Sequence, residues 1–352
     1  MQLACQFQFL WPETCQADIS LDLQPGFSET GGMIEILGLI LPLFGLILLG
    51  FAGARITKQP IEALGWLNTF IIYFALPALF FKLLAKTPVE QLASWQFIFA
   101  NIGVTYAIFI MTFGFGLWNA RGNIAEATVQ GLAGAYGNIG YMGPAIAILA
   151  LGENAAIPVA IIFCFENIMH FAIAPAMMAI SGQKQQSPGE LVLEIVKKIV
   201  FHPFILATAV GVAAAVIGFQ PPVALSRLID YLAQAAAPCA LFAMGVTLAL
   251  RPLKRVPLSL SYIVPAKLML HPLLMFVVLS YAGNFDPTWM YAAILLASLP
   301  TATNVFVIAQ QYGVWTERAS ASVLVTTACS VVTVSALLYL ITTGILPADL
   351  VP

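Results

Sequence analysis

Two short runs interrupt apolar stretches of this chain with amides, hydroxyls, glycines and prolines: Gly137-Asn138-Ile139-Gly140-Tyr141-Met142-Gly143-Pro144 and Ser298-Leu299-Pro300-Thr301-Ala302-Thr303-Asn304. Glycine and proline in a membrane span leave backbone groups unpaired, which is tolerated only where protein or a water-filled cavity re-satisfies them. The half-helix that restarts after a break presents free N–H groups and a partial positive charge, suited to an anion. The half-helix that ended presents carbonyls, suited to a cation or a donor. Asn138, Gly143 and Pro144 in the first run, with Pro300, Thr301, Thr303 and Asn304 in the second, are the candidate ligands. Such groups can hold a carboxylate without a fixed charge. Either run alone also reads as a proline-kinked helix packed on small residues. Two of them, each carrying asparagine, point to a binding site.

Ionisable residues at membrane depth are costly and mark function by default. Glu166 and His170 lie four apart and so share a helix face. So do Lys267 and His271, flanked by Pro265 and Pro272. A Glu–His pair can bind or relay a proton. Lys267 can steer an anion or pair with Glu166. The plainer alternatives are a local structural pair and a lysine that snorkels to the interface. Asp230 reads as interfacial. No GxxxxGK loop, HExxH or Gly-x-Ser-x-Gly elbow is present, so the expectation is no enzyme, no metal and no cofactor. Cys164, Cys239 and Cys329 sit in apolar segments and read as packing residues. Nothing suggests a nucleic-acid partner.

The elements that carry these residues follow from composition. Of 352 residues, 61% are hydrophobic and 9% charged, against about 25% charged in soluble domains; the partner is a lipid bilayer. Ten segments reach the length of roughly 20 apolar residues that a span needs: 33–54, 61–85, 96–118, 125–151, 156–181, 199–218, 224–249, 257–282, 288–312 and 318–346. The two broken runs fall in the fourth and ninth. Placing both termini outside puts Arg55, Lys58, Arg121, Lys184, Lys197, Lys198, Arg251, Lys254, Arg255 and Arg318 on the cytoplasmic side, as the positive-inside rule asks. A cytoplasmic linker, 182–198, divides a first repeat, 33–181, from a second, 199–346, with a tail at 347–352. Five spans per half make any repeat inverted. An offset of 161 carries Pro42 to Pro203, Pro77-Ala78-Leu79-Phe80 to Pro238-Cys239-Ala240-Leu241, and Gly143 to Asn304. Residues 1–32, acidic and without lysine or arginine, read as a disordered extension ahead of Met33, with an ordered cap closed by a Cys5–Cys15 disulfide as the alternative.

The chain resembles the auxin efflux carrier family in its bacterial form, the malonate- or malate-type permeases to which the plant PIN proteins are related. The resemblance covers about 33–346. It is carried by Asn138 to Pro144, by Pro238-Cys239-Ala240-Leu241-Phe242-Ala243-Met244-Gly245, by Lys267 with His271-Pro272, and by Leu299 to Val307 followed by Ala309 and Tyr312-Gly313. It implies an all-α membrane protein of ten helices in two inverted five-helix repeats. Broken helices 4 and 9 would cross, and a transport part would move elevator-like against a scaffold part. It also implies an organic-anion substrate, residence in a bacterial inner membrane and a homodimer. The chain departs from the plant pattern at Val305, where those members carry proline, and at Pro144, one position early. It also has no long cytoplasmic loop, so plant-type auxin specificity and phosphorylation control do not carry over.

The reading that results is a secondary transporter of small mono- or dicarboxylates. Its substrate lies at the crossover, and coupling to H⁺ is favoured over Na⁺, with uniport driven by the membrane potential also open. Rival readings are a sodium-coupled bile-acid-type symporter, a cation–proton antiporter, and, from another class, a non-transporting receptor or intramembrane enzyme.

Overall fold

The computed structural model describes residues 29–87, 94–183, 187–250 and 256–350. Cys5, Cys15, Lys184, Arg251, Lys254 and Arg255, on which expectations above rest, lie outside them, as does most of the expected N-terminal extension. The described residues are helical, apart from turns and one isolated bridge between Gly137 and Thr301.

In chain order the helices are α1 (Glu29–Thr57), α2 (Ile61–Leu84), α3 (Trp95–Asn119), α4 (Ile124–Ala135), α5 (Gly143–Leu151), α6 (Ala156–Ile180), α7 (Pro188–Val200), α8 (Pro203–Val216), α9 (Val223–Leu250), α10 (Leu260–Ala282), α11 (Pro287–Ser298), α12 (Thr303–Tyr312) and α13 (Thr316–Thr342). Six described helices are long and apolar enough to cross a membrane: α2, α3, α6 with its short lead-in, α9, α10 and α13. The pair α7–α8 adds a seventh candidate, bent by 58°. Neither α4, α5, α11 nor α12 spans alone, because each is half of an interrupted stretch. α1 starts at Glu29, four residues ahead of the expected boundary.

Two long helices carry a π-turn, Ile71–Ala75 in α2 and Ala266–Leu270 in α10. Each lies just ahead of a proline, Pro77 or Pro272. A proline ring cannot donate and collides with the carbonyl four residues back, and the wider π-turn makes room for it. In α10 that turn contains Lys267. The segment read as a linker is helical: Ser187 caps α7 through a reciprocal capping box with Glu190. Its exposed Val192, Leu193, Val196 and Val200 alternate with charge, as in a helix lying at an interface.

Packing is most extensive within two groups, which meet where α1 lies on α13 and α2 on α6. α1 lies along α9, α8 along α2, and α2 against α9. The remaining helices pack on one another: α3 on α4, α6 and α10, α10 on α11, and α13 on α11 and α12. Glycine sets the closest approaches in the first group. A Cβ on Gly50 would overlap the Phe242 carbonyl oxygen, and one on Gly245 the Ile47 carbonyl oxygen. At Gly211, where α8 meets α2, a Cβ would stand 3.1 Å from Leu84 Cβ. Gly50 and Gly211 are 161 apart, the same offset that relates the two broken runs.

Candidate functional site

α4 is opened by the Asn123 side chain, which accepts from the Glu126 N–H at 3.1 Å, and ends at Ala135. Tyr136 is extended, and the chain stays out of helix until Gly143, where Pro144 occupies the first turn of α5. Proline is tolerated there because its missing N–H has no intrahelical partner anyway. α11, capped by Asp286 on the Thr288 N–H at 2.8 Å, ends at Ser298. Leu299 is extended, as a residue preceding proline prefers, and α12 restarts at Thr303.

The two interruptions pair with each other. Gly137 and Thr301 form the antiparallel bridge. Around it the Asn138 N–H donates to the Pro300 carbonyl and the Ala302 N–H to the Tyr136 carbonyl, both at 2.8 Å. Backbone groups freed by one break are thus satisfied by the other, as a dry interior requires. Thr301 adds a staple: its hydroxyl donates to the Ala133 carbonyl at 2.7 Å, and its N–H donates to Thr326 Oγ1 of α13 at 3.1 Å. Thr301→Val keeps the shape but leaves that carbonyl unpaired, so it should cost about 1–3 kcal/mol. Thermal unfolding in detergent checks this; an unchanged midpoint would remove Thr301 from the staple.

Beneath the bridge lies a buried polar chain. Thr105 of α3 donates to Glu166 Oε1 at 2.8 Å and stands 3.3 Å from His271 Nε2. His271 Nδ1 is 3.0 Å from Lys267 Nζ, which donates to the Ala297 carbonyl at 2.6 Å. Lys267 is fully buried and does not snorkel. A Cβ at Gly137 would sit 3.2 Å from its Nζ, so glycine at this point lets the ammonium reach the crossover. The ammonium therefore lies at the carbonyl end of α11 and beside the chain leaving α4, where helix dipoles favour a cation.

A second polar group links the breaks to α6. Asn304 Nδ2 donates to the Tyr136 hydroxyl at 2.8 Å, and that hydroxyl donates to Asn167 Oδ1 at 2.5 Å. The Tyr136 ring stacks on His170, with ring centroids 4.0 Å apart. His170 is buried, yet neither ring nitrogen has a hydrogen-bond partner among the described residues. Glu166 and His170, expected to pair, turn to different neighbours.

Three cavities converge on Asn304. One of about 80 Å³ is lined by Asn138, Tyr136, Asn167, Thr303 and Asn304. One of about 240 Å³ between α2, α9 and α12 adds Asn68, Met244 and Thr247. Another of about 240 Å³ runs past His170 and His202 to Lys198 at the end of α7. Asn138, Thr303 and Asn304 thus face open space, with one amide hydrogen of Asn138 resting on Met244 Sδ at 3.2 Å. Thr303 and Asn304 begin α12, whose first-turn N–H groups lack helical acceptors. Gly143 packs near Leu296, and Thr301 and Pro300 are buried in the bridge. Pro144 lines a different cavity. Tyr136 and Thr105 carry no signal of their own in the sequence: an aromatic and a threonine within spans read as ordinary membrane residues. The position of Tyr136, directly ahead of the first broken run, was the available signal. Among the described residues, no group of three or more His, Cys, Asp or Glu is placed to hold a metal.

Known proteins match the sequence of this chain along most of its length. Residues 35–338 match the family described as "Membrane transport protein". A Rhizobium meliloti (strain 1021) protein named "Putative malonate transporter" is 65% identical over 320 residues, covering 91% of this chain and all of the relative. The Escherichia coli (strain K12) "Uncharacterized transporter YfdV" is 27% identical, covering 86% of this chain and 96% of the relative. An "Uncharacterized transporter" of Methanothermobacter thermautotrophicus is 24% identical, covering 83% and 94%. These relatives are named as transporters, and several apolar helices place this chain in a membrane. The chain belongs to this membrane transport protein family, the auxin efflux carriers that its broken runs resemble.

Proposed function

We propose that the protein is a secondary transporter of small carboxylates, with malonate the first substrate to test because a 65% identical relative carries that name. The observation that carries the reading is the bridge between the breaks. It brings Asn138, Thr303 and Asn304 to one set of cavities with a helix N-terminus behind them. A carboxylate there would accept from the two amides, the Thr303 hydroxyl and the first-turn N–H groups of α12.

In this reading the ten crossings are α1, α2, α3, α4–α5, α6, α8, α9, α10, α11–α12 and α13, arranged as two inverted repeats. The reciprocal packing of α1 on α9 and α8 on α2 supports it, as does the 161-residue spacing of Gly50 and Gly211. The α1–α2–α8–α9 group is the scaffold. The rest moves against it along smooth aromatic contacts such as Phe80 on Phe163, with ring centroids 4.8 Å apart. One of the cavities at Asn304 reaches Lys198 on α7, the face that lysine placement assigns to the cytoplasm of a bacterial inner membrane. Proton coupling is preferred over sodium, because the Lys267 ammonium already occupies the carbonyl end of α11 that a metal cation would use.

Uptake of labelled malonate into proteoliposomes, with imposed pH or sodium gradients, tests the activity. Asn138→Ala and Asn304→Ala should each weaken malonate binding by about tenfold or more, the size of one hydrogen bond to a charged group at about 1.5–3 kcal/mol, with folding retained. Wild-type affinity in both variants would sink the crossover site.

A further inference from the structure

A cavity of about 560 Å³ lies away from those at Asn304, between α2, α5 and the first half of α9. Lys82, in the last turn of α2, and Lys86, two residues beyond its end, line it together with Glu153 and Gln234. Lys82 is held by Asp230 of α9 at 2.8 Å, in a pair still reached by solvent. The cavity runs from Pro144, in the first turn of α5, to Glu153 beyond its end.

Its walls repeat those of the α2–α9–α12 cavity. Adding 161 carries Ile72 to Ala233, Lys82 to Ala243 and Lys86 to Thr247; in each pair one residue lines one cavity and its counterpart the other. The two spaces are therefore counterparts on opposite faces of the crossover. They differ in charge: where one has Ala243 and Thr247, the other has two lysines.

The geometry points to the α2–α5–α9 cavity as a carboxylate-capturing vestibule, in which Asp230 occupies Lys82 as an internal stand-in and an arriving dicarboxylate replaces it, bridging Lys82 and Lys86. This rests on the transport reading above and adds a second anion site to it. Lys86 follows the last turn of α2 and lines the same cavity as Lys82, so a dicarboxylate there has a lysine for each of its carboxylates. The two lysines outnumber Glu153 in the lining, and once Asp230 is displaced the excess positive charge attracts anions and speeds their capture.

The signs of two substitutions separate this from a structural salt bridge. Asp230→Asn releases Lys82 and should raise the initial rate of malonate transport at sub-saturating concentration about threefold. Lys82→Gln, and more so Lys82→Gln with Lys86→Gln, should lower it about fivefold. Both effects should fade in about 1 M salt, where the Debye length is about 3 Å. Malonate-induced thermal stabilisation through the crossover should persist in every variant. A bridge that only holds α2 to α9 breaks either way, so equal signs for Asp230→Asn and Lys82→Gln would overturn the proposal, as would wild-type rates in all of them. Should the wild type neither bind nor move malonate, the substrate reading fails but the vestibule is still read out. Lys86→Cys should then react with a sulfonate thiol reagent faster, relative to a trimethylammonium one, when Asp230→Asn is added, and more slowly when Lys82→Gln is added. An unchanged ratio would overturn it.

Discussion

Lys267→Gln is expected to reduce transport by about two orders of magnitude and to cost the fold about 3 kcal/mol, the upper end for leaving buried polar partners unsatisfied. The Lys267 amine is fully buried, and its contacts are the Ala297 carbonyl and His271 Nδ1. Each helix end it serves is worth about 1–2 kcal/mol in a partly buried setting, and each 1.4 kcal/mol is a factor of ten. Removing it also strands Glu166, reached through Thr105 and His271. Glu166→Gln with Lys267→Gln should therefore be less destabilised than the two single changes summed, by about 1–3 kcal/mol. Thermal unfolding of the four proteins in detergent gives the coupling, and proteoliposome uptake gives the flux. Strict additivity would mean that the two charges ignore each other; wild-type flux in Lys267→Gln would remove the lysine from the transport cycle.

Gly245→Ala is expected to be the most damaging single methyl in the scaffold. The new Cβ would overlap the Ile47 carbonyl oxygen, a backbone atom that cannot rotate away, so α1 and α9 must separate. Overpacking of this kind costs about 1–3 kcal/mol even where side chains can adjust, and here backbone must move. Gly50→Ala meets the Phe242 carbonyl and should behave alike, whereas Gly211→Ala, 3.1 Å from a side-chain carbon, should be milder. The yield of folded protein and its unfolding temperature rank the three. Equal tolerance of all three would show that the α1–α9 contact is looser than these distances state.

Much of the crossover was readable because its signals are local. Glycine, proline and asparagine inside apolar stretches announce a break without knowledge of any partner, and helix ends fall close to where Pro144 and Pro287 allow them. The membrane class and family followed from composition and from those same runs. What could not be read is what depends on meeting a distant residue. Thr301 carries the same hydroxyl as Thr303, yet the bridge turns it to Ala133 while Thr303 faces the cavities. Glu166 and His170, four apart, suggested each other, but Thr105 and Tyr136 lie closer in space. Gly50 and Gly245 look like any small residues in a span until the opposing carbonyl is known. The helical form of α7 is legible in Ser187 and Glu190, which form its capping box.

The bridge joining Gly137 to Thr301 bears on energetics as well as shape. Each interruption completes the other's hydrogen bonding, so neither can rewind without orphaning its partner. In the proposed carrier Asn138, Thr303 and Asn304 would therefore travel as a unit and meet the anion with the same groups whichever compartment the pocket opens to. Such a carrier stores no preference for import or export in its own bonds. The sign of net flow belongs to the gradients across the membrane, and a tight competitive inhibitor admitted from one compartment should arrest movement in both directions.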